Sequence, residues 1–561
     1  MVMIKSHFFK QKTLYAFLLA FAWFLLIVPL IDTKIIPGHD YIFHVTRIIN
    51  VSEAIKGGMF PVRIYADDVQ FWGTPVGIFY PSLFNYFPVL FKLIGFPVEV
   101  CYNIFIALIF LLGIYSSWLG FSLLTKSKEI GFYSTVLYIS SGYYLLDAYI
   151  RNALGEMLGI SFLPLVMACI VRIVERSKVS LKVFVLTILS ISVIIQSHVL
   201  CSAFVMLFGI FCLVKNYKNL SLRKICRIGC LLLLILLLNA TFILPFLLFY
   251  STVPVTMDFI EGFAEQGWPT IVLLRFFLLW NFWLFLALCF FISRMVHVFL
   301  GDFAKYSNIR FFLSLKMYLE FFMGGVLFFI LSDTSFPWNT FSSLKRIFEV
   351  MQFPWRFLAI STLCFCVCGG FGIHLVLKNI KLKKYALFIY VSIVCITSLA
   401  AFYKFSPISS LQYWKVPTKI YWERFISTSD FDYLYKGMDI EQLKQQGDQY
   451  FSEAYITNYR KQGTNVSFSY NAENDSSIIL PLVNYPGYVA MDQTGKKIRL
   501  EENENHVMVI LLPKGHGNIC VRYEGLLLFK ISDAVSAICF IGFIIWIVRN
   551  KNCMRLQGGC N

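Results

Sequence analysis

Long apolar runs separated by short basic clusters constrain this chain more than any other feature. Of its 561 residues, 58% are hydrophobic, and the mean hydropathy is +0.69. A helix of about 20 apolar residues is long enough to cross the hydrocarbon core of a bilayer. Twelve runs approach that length: 14–31, 98–124, 130–147, 153–174, 181–197, 199–214, 228–250, 270–298, 313–331, 355–377, 385–403 and 529–548. The sequence therefore predicts a mainly α polytopic membrane protein with about twelve transmembrane helices.

The basic residues predict how these helices are oriented. The net charge of +17 is concentrated in short clusters between the apolar runs, near residues 5–12, 126–128, 172–178, 215–227, 378–384 and 549–555. Lys and Arg are retained on the cytoplasmic side of membrane proteins. An orientation with both termini inside places all of these clusters in the cytoplasm. This distribution accounts for the basic charge without a nucleic-acid partner, and the run at 14–31 reads as an uncleaved signal anchor.

Two polar or interrupted segments define the predicted domains. Residues 80–97 carry prolines at 81, 88 and 97. Counting them as a span would move the later basic clusters outside, so an interfacial, non-spanning helix is predicted there. Residues 405–528 contain alternating stretches such as "NVSFSY" and "HVMVILL", with turn signals such as "YPG" and "PKGHG". These patterns predict strands and turns.

The predicted organisation therefore has three parts. Residues 1–404 form the transmembrane domain, with a first outer loop at 32–97. Residues 405–528 form a small β-rich extracytoplasmic domain, preceded by a helical piece near "DIEQLKQQGDQYF". Residues 529–561 form the final transmembrane helix and a cytoplasmic tail.

Ionisable residues collect at the outer ends of the predicted spans. They come from at least five segments of the chain, and charged groups at membrane depth are costly enough to indicate function. If the segment after the first span is helical, its acid, imidazole and guanidinium share one face. The candidates are Asp40, His44 and Arg47 in the first outer loop, Asp147, Arg151 and Glu156 in "DAYIRNALGE", His198, Arg275, and Lys345, Arg346 and Arg356.

Each of these residues also has an ordinary structural interpretation. Asp40 could cap the helix that follows it, and Arg151 and Glu156 could form a surface ion pair. Arg356 could extend toward lipid headgroups. Contact with headgroups would explain the cations, but it would not explain why acids accompany them. The set as a whole therefore predicts a functional site.

Acids and arginines at one membrane face suit transfer from a lipid-linked phosphate. A carboxylate accepts a proton from an acceptor hydroxyl, while cations stabilise the charge that develops on the leaving phosphate. The planar fork of Arg matches phosphate oxygens. The chain has neither a P-loop nor a dinucleotide fingerprint. An outward-facing enzyme has no nucleotide supply, so its donor would be carried by a lipid.

Several motifs, in order, resemble the YfhO-like bacterial membrane proteins. They are "PGHDYIFHVTRIINVSEAIKGGMFPVRI", "WGTPVGIFYPSLFNYFP", "DAYIRNALGEMLGISFLPLV", "QSHVLCSAF", "MQFPWRFLAIST" and "LPLVNYPGYVAMDQTGKKIRL" with its continuation. Part of that group bears a name relating it to 6-pyruvoyl-tetrahydropterin synthase. The zinc chemistry of that enzyme needs clustered histidines, and the eight histidines here are dispersed along the sequence.

The resemblance implies a GT-C type glycosyltransferase, which takes a sugar from a polyprenyl-phosphate carrier outside the membrane. It implies an essential acid in the first outer loop, where Asp40 matches, and a second acidic outer loop, where Asp147 and Glu156 match. Some GT-C enzymes use a divalent metal, Mg or Mn. Asp67 and Asp68 are candidate ligands, although an exposed acid pair is more often solvated surface.

The resulting hypothesis is a bacterial cytoplasmic-membrane enzyme with its active site facing outside. It would transfer a sugar from a polyprenyl-phosphate carrier to a cell-envelope glycan or teichoic-acid acceptor. Two alternatives remain open. A flippase for lipid-linked glycans would place its ionisable groups near the bilayer midplane on broken helices. A non-catalytic scaffold of envelope assembly would keep its function when Asp40 is substituted.

Overall fold

The structure, a computed structural model, is mostly helical. It describes residues 2–31, 35–36, 38–66, 72–256, 267–301, 309–338, 340, 351–378, 380, 382–405 and 433–550. The α-helices are α1 (Val2–Ile27), α2 (Tyr41–Lys56), α3 (Val76–Phe79), α4 (Tyr86–Leu93), α5 (Val98–Thr125), α6 (Lys128–Ile139), α7 (Gly142–Leu146), α8 (Leu154–Glu175), α9 (Leu181–Ile195), α10 (Val199–Lys215), α11 (Leu222–Leu238), α12 (Ala240–Thr252), α13 (Thr270–Arg275), α14 (Phe282–Gly301), α15 (Ile309–Ile330), α16 (Leu358–Leu377), α17 (Lys383–Phe405), α18 (Ile440–Gln446) and α19 (Leu527–Arg549).

The helices fit a multi-pass membrane protein, but the described residues do not confirm twelve spans. Six stretches are long and apolar enough to cross a membrane: Thr13–Leu30, Val98–Thr125, Leu154–Glu175, Pro354–Leu377, Lys383–Ala401 and Leu527–Arg549. Two bent pairs raise the number to eight if each pair is one span. Helices α9 and α10 are shorter apolar helices of 15 and 17 residues. The prolines at 80–97 leave α4 only eight residues long, too short to span.

Polar residues inside the apolar runs explain the breaks. The pair α11 and α12 bends by 76° on either side of Asn239, whose amide donates to the Ile235 carbonyl at 2.8 Å. The predicted span 130–147 ends its first helix at Ile139, and Ser141 then caps α7 by accepting from the Tyr144 N–H. Asn and Ser side chains compete with the helix for backbone hydrogen bonds, which favours such interruptions.

The chain packs into two compact units, each built from three segments. The first, called the helical unit, contains residues 1–41, 103–228 and 259–416. The second, called the sheet unit, contains residues 42–102, 229–258 and 417–561. These units cut across the linear boundaries predicted from the sequence, because residues 42–97 of the first outer loop belong to the same unit as the β-rich segment.

The β-rich C-terminal segment predicted from alternation is confirmed. Its strands form two antiparallel sheets, one of order β1-β4-β8-β7 and one of order β2-β3-β9-β5-β6. A helix, α18, precedes them, as the sequence predicts. The strands are β1 (Phe451–Ser452), β2 (Tyr455–Gln462), β3 (Asn465–Ala472), β4 (Ser476–Val483), β5 (Tyr488–Asp492), β6 (Lys497–Ile498), β7 (Leu500–Glu502), β8 (Val507–Leu512) and β9 (Gly515–Tyr523).

The core of the sheet unit combines residues far apart in the sequence. Phe468 and Ile510 are buried on strands of the two sheets, and Trp72 and Phe79 of the first outer loop belong to the same core. The Trp72 carbonyl accepts a hydrogen bond from the Val483 N–H at 3.1 Å. Burial of large apolar side chains is the main driving force for such packing. It therefore ties the loop to the sheets.

Candidate functional site

The turn between α7 and α8 orients the first group of charged residues. A single turn of π-helix runs from Asp147 to Arg151, and π-helical turns are frequent at functional sites. Asn152 then adopts a left-handed conformation with φ of +55°, which Asn tolerates better than most residues. Its amide donates to the Ala148 carbonyl at 2.8 Å and so stabilises the turn. The chain reverses there and α8 begins at Leu154.

The turn brings together one arginine and two acids. The Nη1 atom of Arg151 donates to Asp147 Oδ1 at 2.6 Å and to Glu156 Oε2 at 2.8 Å. Tyr143 donates its hydroxyl to Glu156 Oε1 at 2.5 Å. All four side chains are buried. The surface-pair interpretation of Arg151 and Glu156 is therefore wrong, since both charges are withdrawn from solvent.

Arg356 reaches the same carboxylate from another segment. Its Nε atom lies 3.4 Å from Glu156 Oε2, and its Nη1 atom donates to the Met351 carbonyl at 3.0 Å and to Gln352 Oε1 at 2.8 Å. The residue follows Trp355 in a turn of 3₁₀-helix, Pro354–Phe357. With only 6% of its surface exposed, Arg356 does not extend toward headgroups. That alternative interpretation is wrong for this residue.

Asp40 belongs to the same cluster through its backbone and its charge. The His39 N–H donates to the Ile150 carbonyl at 3.0 Å, and the Asp40 N–H donates to the Arg151 carbonyl at 2.7 Å. Gly38 makes this approach possible, because a Cβ there would lie 2.3 Å from the Ile150 carbonyl oxygen. Gly38 thus permits close docking onto the π-helical turn.

Asp40 is the half-buried member of the cluster, whereas Asp147 and Glu156 are buried. Burial raises the pKa of its carboxyl, and this effect outweighs the opposing effects of Arg151 and Arg356. A carboxylate with a raised pKa is a stronger proton acceptor. The environment of Asp40 therefore suits a general base.

His198 completes the cluster on the side of Glu156. Burial lowers the pKa of this imidazole to about 3, although the neighbouring Glu156 charge favours the protonated form. The imidazole is therefore neutral at physiological pH, and it can bind a ligand through hydrogen bonds but not through charge.

Aromatic side chains that the sequence analysis did not single out surround the charges. The Arg151 guanidinium lies 4.6 Å from the centre of the Trp355 ring, a cation–π contact. Trp355 in turn stacks on Trp268 with ring centroids 5.8 Å apart. Trp355 could have been found from the sequence, because it stands beside the candidate Arg356 in "FPWRF". Tyr143 could not, because it lies in an apolar run with no charged neighbour to mark it.

Three buried polar atoms of this cluster lack a hydrogen-bond partner: Asp147 Oδ2, His198 Nδ1 and Arg356 Nε. Buried polar groups are nearly always hydrogen-bonded, so unpaired ones call for an explanation such as a ligand or an ordered water. Because Arg356 Nε also faces Glu156 Oε2 in an ion pair, Asp147 Oδ2 and His198 Nδ1 are the two atoms of the cluster without a polar partner.

His44 and Arg47, the other candidates of the first outer loop, make their contacts inside the sheet unit. The Nη2 atom of Arg47 donates to the Pro81 carbonyl at 2.6 Å, and its guanidinium lies 4.3 Å from the centre of the Tyr80 ring. The His44 ring makes an edge contact with the same Tyr80 ring. The predicted face of three residues is therefore reduced to two, because His44 and Arg47 anchor residues 80–82 from α2 whereas Asp40 precedes that helix. Their predicted role in binding substrate stays a prediction.

The remaining candidates are not placed in the cluster. Arg275 is exposed at the end of α13, and no contact with the cluster is found among the described residues. Arg346, like Asp67 and Asp68, lies outside the described residues. Within the part of the chain that the structure describes, no three His, Cys, Asp or Glu residues are grouped to hold a metal ion. Asp147 and Glu156 are instead held as partners of arginines.

Comparison with known proteins assigns no family. No protein-family model matches the chain, and no curated protein matches it. Among solved structures, it is similar to ArnT from Cupriavidus metallidurans bound to undecaprenyl phosphate, with 14% sequence identity and a TM-score of 0.40. The match covers 72% of this chain and 67% of the ArnT chain. Because this similarity is too low to assign an activity, a proposed function has to rest on the side chains of the cluster.

Proposed function

We propose that this protein transfers a sugar from a polyprenyl-phosphate carrier to a cell-envelope glycan on the outer face of the bacterial cytoplasmic membrane. The observation that supports the proposal is the buried cluster of Asp40, Asp147, Arg151, Glu156 and Arg356, with its unpaired polar atoms. Buried arginines suit a phosphate, and a half-buried acid beside them suits proton abstraction.

In the proposed reaction, Asp40 removes the proton from an acceptor hydroxyl. The oxygen attacks the anomeric carbon of the donor sugar, and the bond from that carbon to the phosphate oxygen breaks. The polyprenyl phosphate leaves with the electron pair. Arg356 and Arg151 stabilise the charge that it gains, because their guanidinium groups are held in place before the reaction begins.

Glu156 has a different role in this scheme. Its Oε2 is shared by Arg151 and Arg356, and its Oε1 accepts from Tyr143. Both oxygens are thus occupied, which leaves Glu156 poorly suited to accept a proton from substrate. It is a positioning residue for the two arginines, and Asp147 supports Arg151 in the same way.

The central test compares Asp40→Asn with His44→Gln and with Glu473→Gln, which removes an exposed carboxylate from the sheet unit. Purified protein would be assayed for turnover with polyprenyl-phosphate-linked glucose, galactose and N-acetylglucosamine. Asn has the shape of Asp but cannot accept a proton. Asp40→Asn should lower turnover by about two to four orders of magnitude, the usual contribution of a general base. Near-normal turnover would remove Asp40 from this role, and a matching loss in His44→Gln alone would assign it to the imidazole.

A second test concerns the cations. Binding of polyprenyl phosphate to Arg356→Gln should be weaker by about 2–4 kcal/mol, the scale of a lost buried charge-assisted contact. Unchanged affinity in both Arg356→Gln and Arg151→Gln would contradict the phosphate site. Transport of a lipid-linked glycan into proteoliposomes by Asp40→Asn protein, without any transfer product from the wild type, would instead favour the flippase alternative.

A further inference from the structure

A basic patch lies at the far end of α8 from the charged cluster. Glu156 stands in the first turn of α8, and the helix is 22 residues long and ends at Glu175. At 1.5 Å per residue such a helix extends about 33 Å, close to the thickness of about 30 Å of a bilayer's hydrocarbon core. Helix α8 is apolar enough to cross that core. Its last turn therefore lies at the headgroup level of the opposite membrane surface.

Two cations of α11 join the turn that follows α8 to the turn that precedes α11. Lys224 is buried, and its Nζ atom donates to the Val174 carbonyl at 3.2 Å. Arg227 donates through Nη1 to the Ser177 carbonyl at 3.0 Å. The last carbonyls of a helix have no partner within it, so cations that reach them are stabilising. Arg223, four residues before Arg227, lies on the same face of α11, so the basic residues of both turns share one surface.

The joined turns present a surplus of positive charge. Five cations on or next to them are exposed: Arg176, Lys178, Lys182, Lys218 and Arg223. In the part of the chain that the structure describes, none of the five forms an ion pair, whereas the neighbouring Lys215 pairs with Glu320 at 2.6 Å. Glu175 is the only acid within residues 172–182 and 214–227. The patch therefore attracts anions.

Exposed apolar side chains interleave with the cations of the second turn. Val214, Tyr217, Leu222 and Ile225 are each more than half exposed, and Leu222 is 76% exposed. An anionic phospholipid carries a phosphate and acyl chains in one molecule, so it matches both kinds of side chain. A nucleotide or a soluble acidic protein segment would pair with the cations and leave these apolar side chains uncovered.

We propose that this patch binds the headgroup of an anionic phospholipid, whose acyl chains lie along the exposed apolar residues of α10 and α11. Retention of Lys and Arg on the cytoplasmic side explains why basic residues occur in these turns. It does not require that the turns be joined through buried cations or that the exposed cations lack acidic partners. Basic sites at helix ends bind lipid headgroups through charge and charge-assisted hydrogen bonds. The proposal does not depend on the transfer reaction.

Native mass spectrometry of the full-length protein tests the proposal. The protein would be equilibrated in nanodiscs with equal amounts of phosphatidylglycerol and phosphatidylcholine that carry the same acyl chains. Phosphatidylglycerol should be retained in excess over phosphatidylcholine when the wild-type protein is released. The excess should shrink when the equilibration is done at high salt, because exposed charges are screened.

A charge-matched pair of variants locates the binding. Each basic residue near an anionic membrane surface contributes about 1 kcal/mol, or about fivefold in affinity. The excess of phosphatidylglycerol should therefore fall by at least about fivefold in the variant that combines Arg176→Gln, Lys178→Gln, Lys218→Gln and Arg223→Gln. The control removes the same charge from exposed positions of the sheet unit and should retain lipid like the wild type; it combines Lys496→Gln, Lys497→Gln, Arg499→Gln and Lys514→Gln.

Thermal unfolding separates loss of lipid from loss of folding. All four substituted positions of the patch are exposed, so the melting temperature should stay close to that of the wild type. Variants with only the two substitutions of one turn should each show part of the loss. Equal retention of both lipids by the wild type would overturn the proposal, as would an equal loss in the control variant. Displacement of phosphatidylglycerol by equimolar inorganic phosphate would overturn it too and assign the patch to soluble anions.

Discussion

Replacing Glu156 by Gln tests whether this acid holds the two arginines of the cluster. Its Oε2 atom lies 2.8 Å from Arg151 Nη1 and 3.4 Å from Arg356 Nε, and the side chain is buried. With an effective dielectric constant of about 20, Coulomb's law assigns each contact about 5–6 kcal/mol. Desolvation offsets a large part of that attraction. Removal of one partner from a buried pair typically costs 3–5 kcal/mol, because the other charge is left uncompensated.

We therefore expect Glu156→Gln to lower the free energy of unfolding by about 3–5 kcal/mol. The measurement is equilibrium unfolding in detergent micelles, followed by tryptophan fluorescence. Glu175→Gln is the matched control, since Glu175 ends the same helix and is exposed. An exposed substitution of this kind should change stability by less than about 0.5 kcal/mol.

A double-mutant cycle with Arg151→Gln isolates the pairwise contribution. If the two side chains stabilise each other, the double variant should be more stable than the sum of the single effects predicts, by about 0.5–3 kcal/mol. A loss below about 1 kcal/mol in Glu156→Gln would refute the reasoning. Strict additivity in the cycle would refute it as well, since it would mean that the observed contact carries no coupling.

Three further predictions concern single positions. Tyr143→Phe removes a hydrogen bond to a buried carboxylate and should lower the free energy of unfolding by about 1.5–3 kcal/mol in the same assay, whereas Tyr115→Phe at an exposed ring should not. Burial raises the pKa of Asp40 above 3.8, so kcat/KM should fall as the pH drops through that higher value and not only near pH 3.8. Cysteines introduced at the exposed positions Glu473 and Lys378 should react with a membrane-impermeant maleimide only at Glu473; the reverse result would overturn the predicted topology.

The cluster was predictable where local spacing carries chemistry. Asp147 and Arg151 are four residues apart, and Glu156 follows at the start of the next helix, so short-range rules bring them together. Arg356 could be proposed as a site residue only because it lies at the outer end of a predicted transmembrane span. Its contact with Glu156 joins residues 200 positions apart in the chain, and such contacts depend on packing that no local pattern encodes.

The secondary structure was largely predictable from local patterns, whereas the helix breaks and the packing of the first outer loop were not. Long apolar runs predict helices, and alternation predicts strands, as the structure bears out. The breaks at Asn239 and Ser141 were missed because averaging over a long window hides one polar residue. Trp72 and Phe79 belong to the predicted first outer loop, yet they lie in the core of the sheet unit. The sequence shows that such an apolar side chain favours burial, but it does not identify the surface against which the side chain packs.

In the proposed reaction, the charges of the cluster would make donor binding depend on its protonation. Three acids face two arginines, and His198 is neutral, so the fully ionised cluster has one excess negative charge that opposes an anionic donor. A proton on Asp40 or on the buried Asp147 removes that excess. Linkage then requires a bound donor to raise the pKa of Asp40 further, and donor affinity to fall as the pH rises through this pKa. A polyprenyl phosphodiester does not itself titrate in this range, so its affinity measured against pH reports the protein. The slope should disappear in Asp40→Asn, and a slope that persists there would assign the titration to another group.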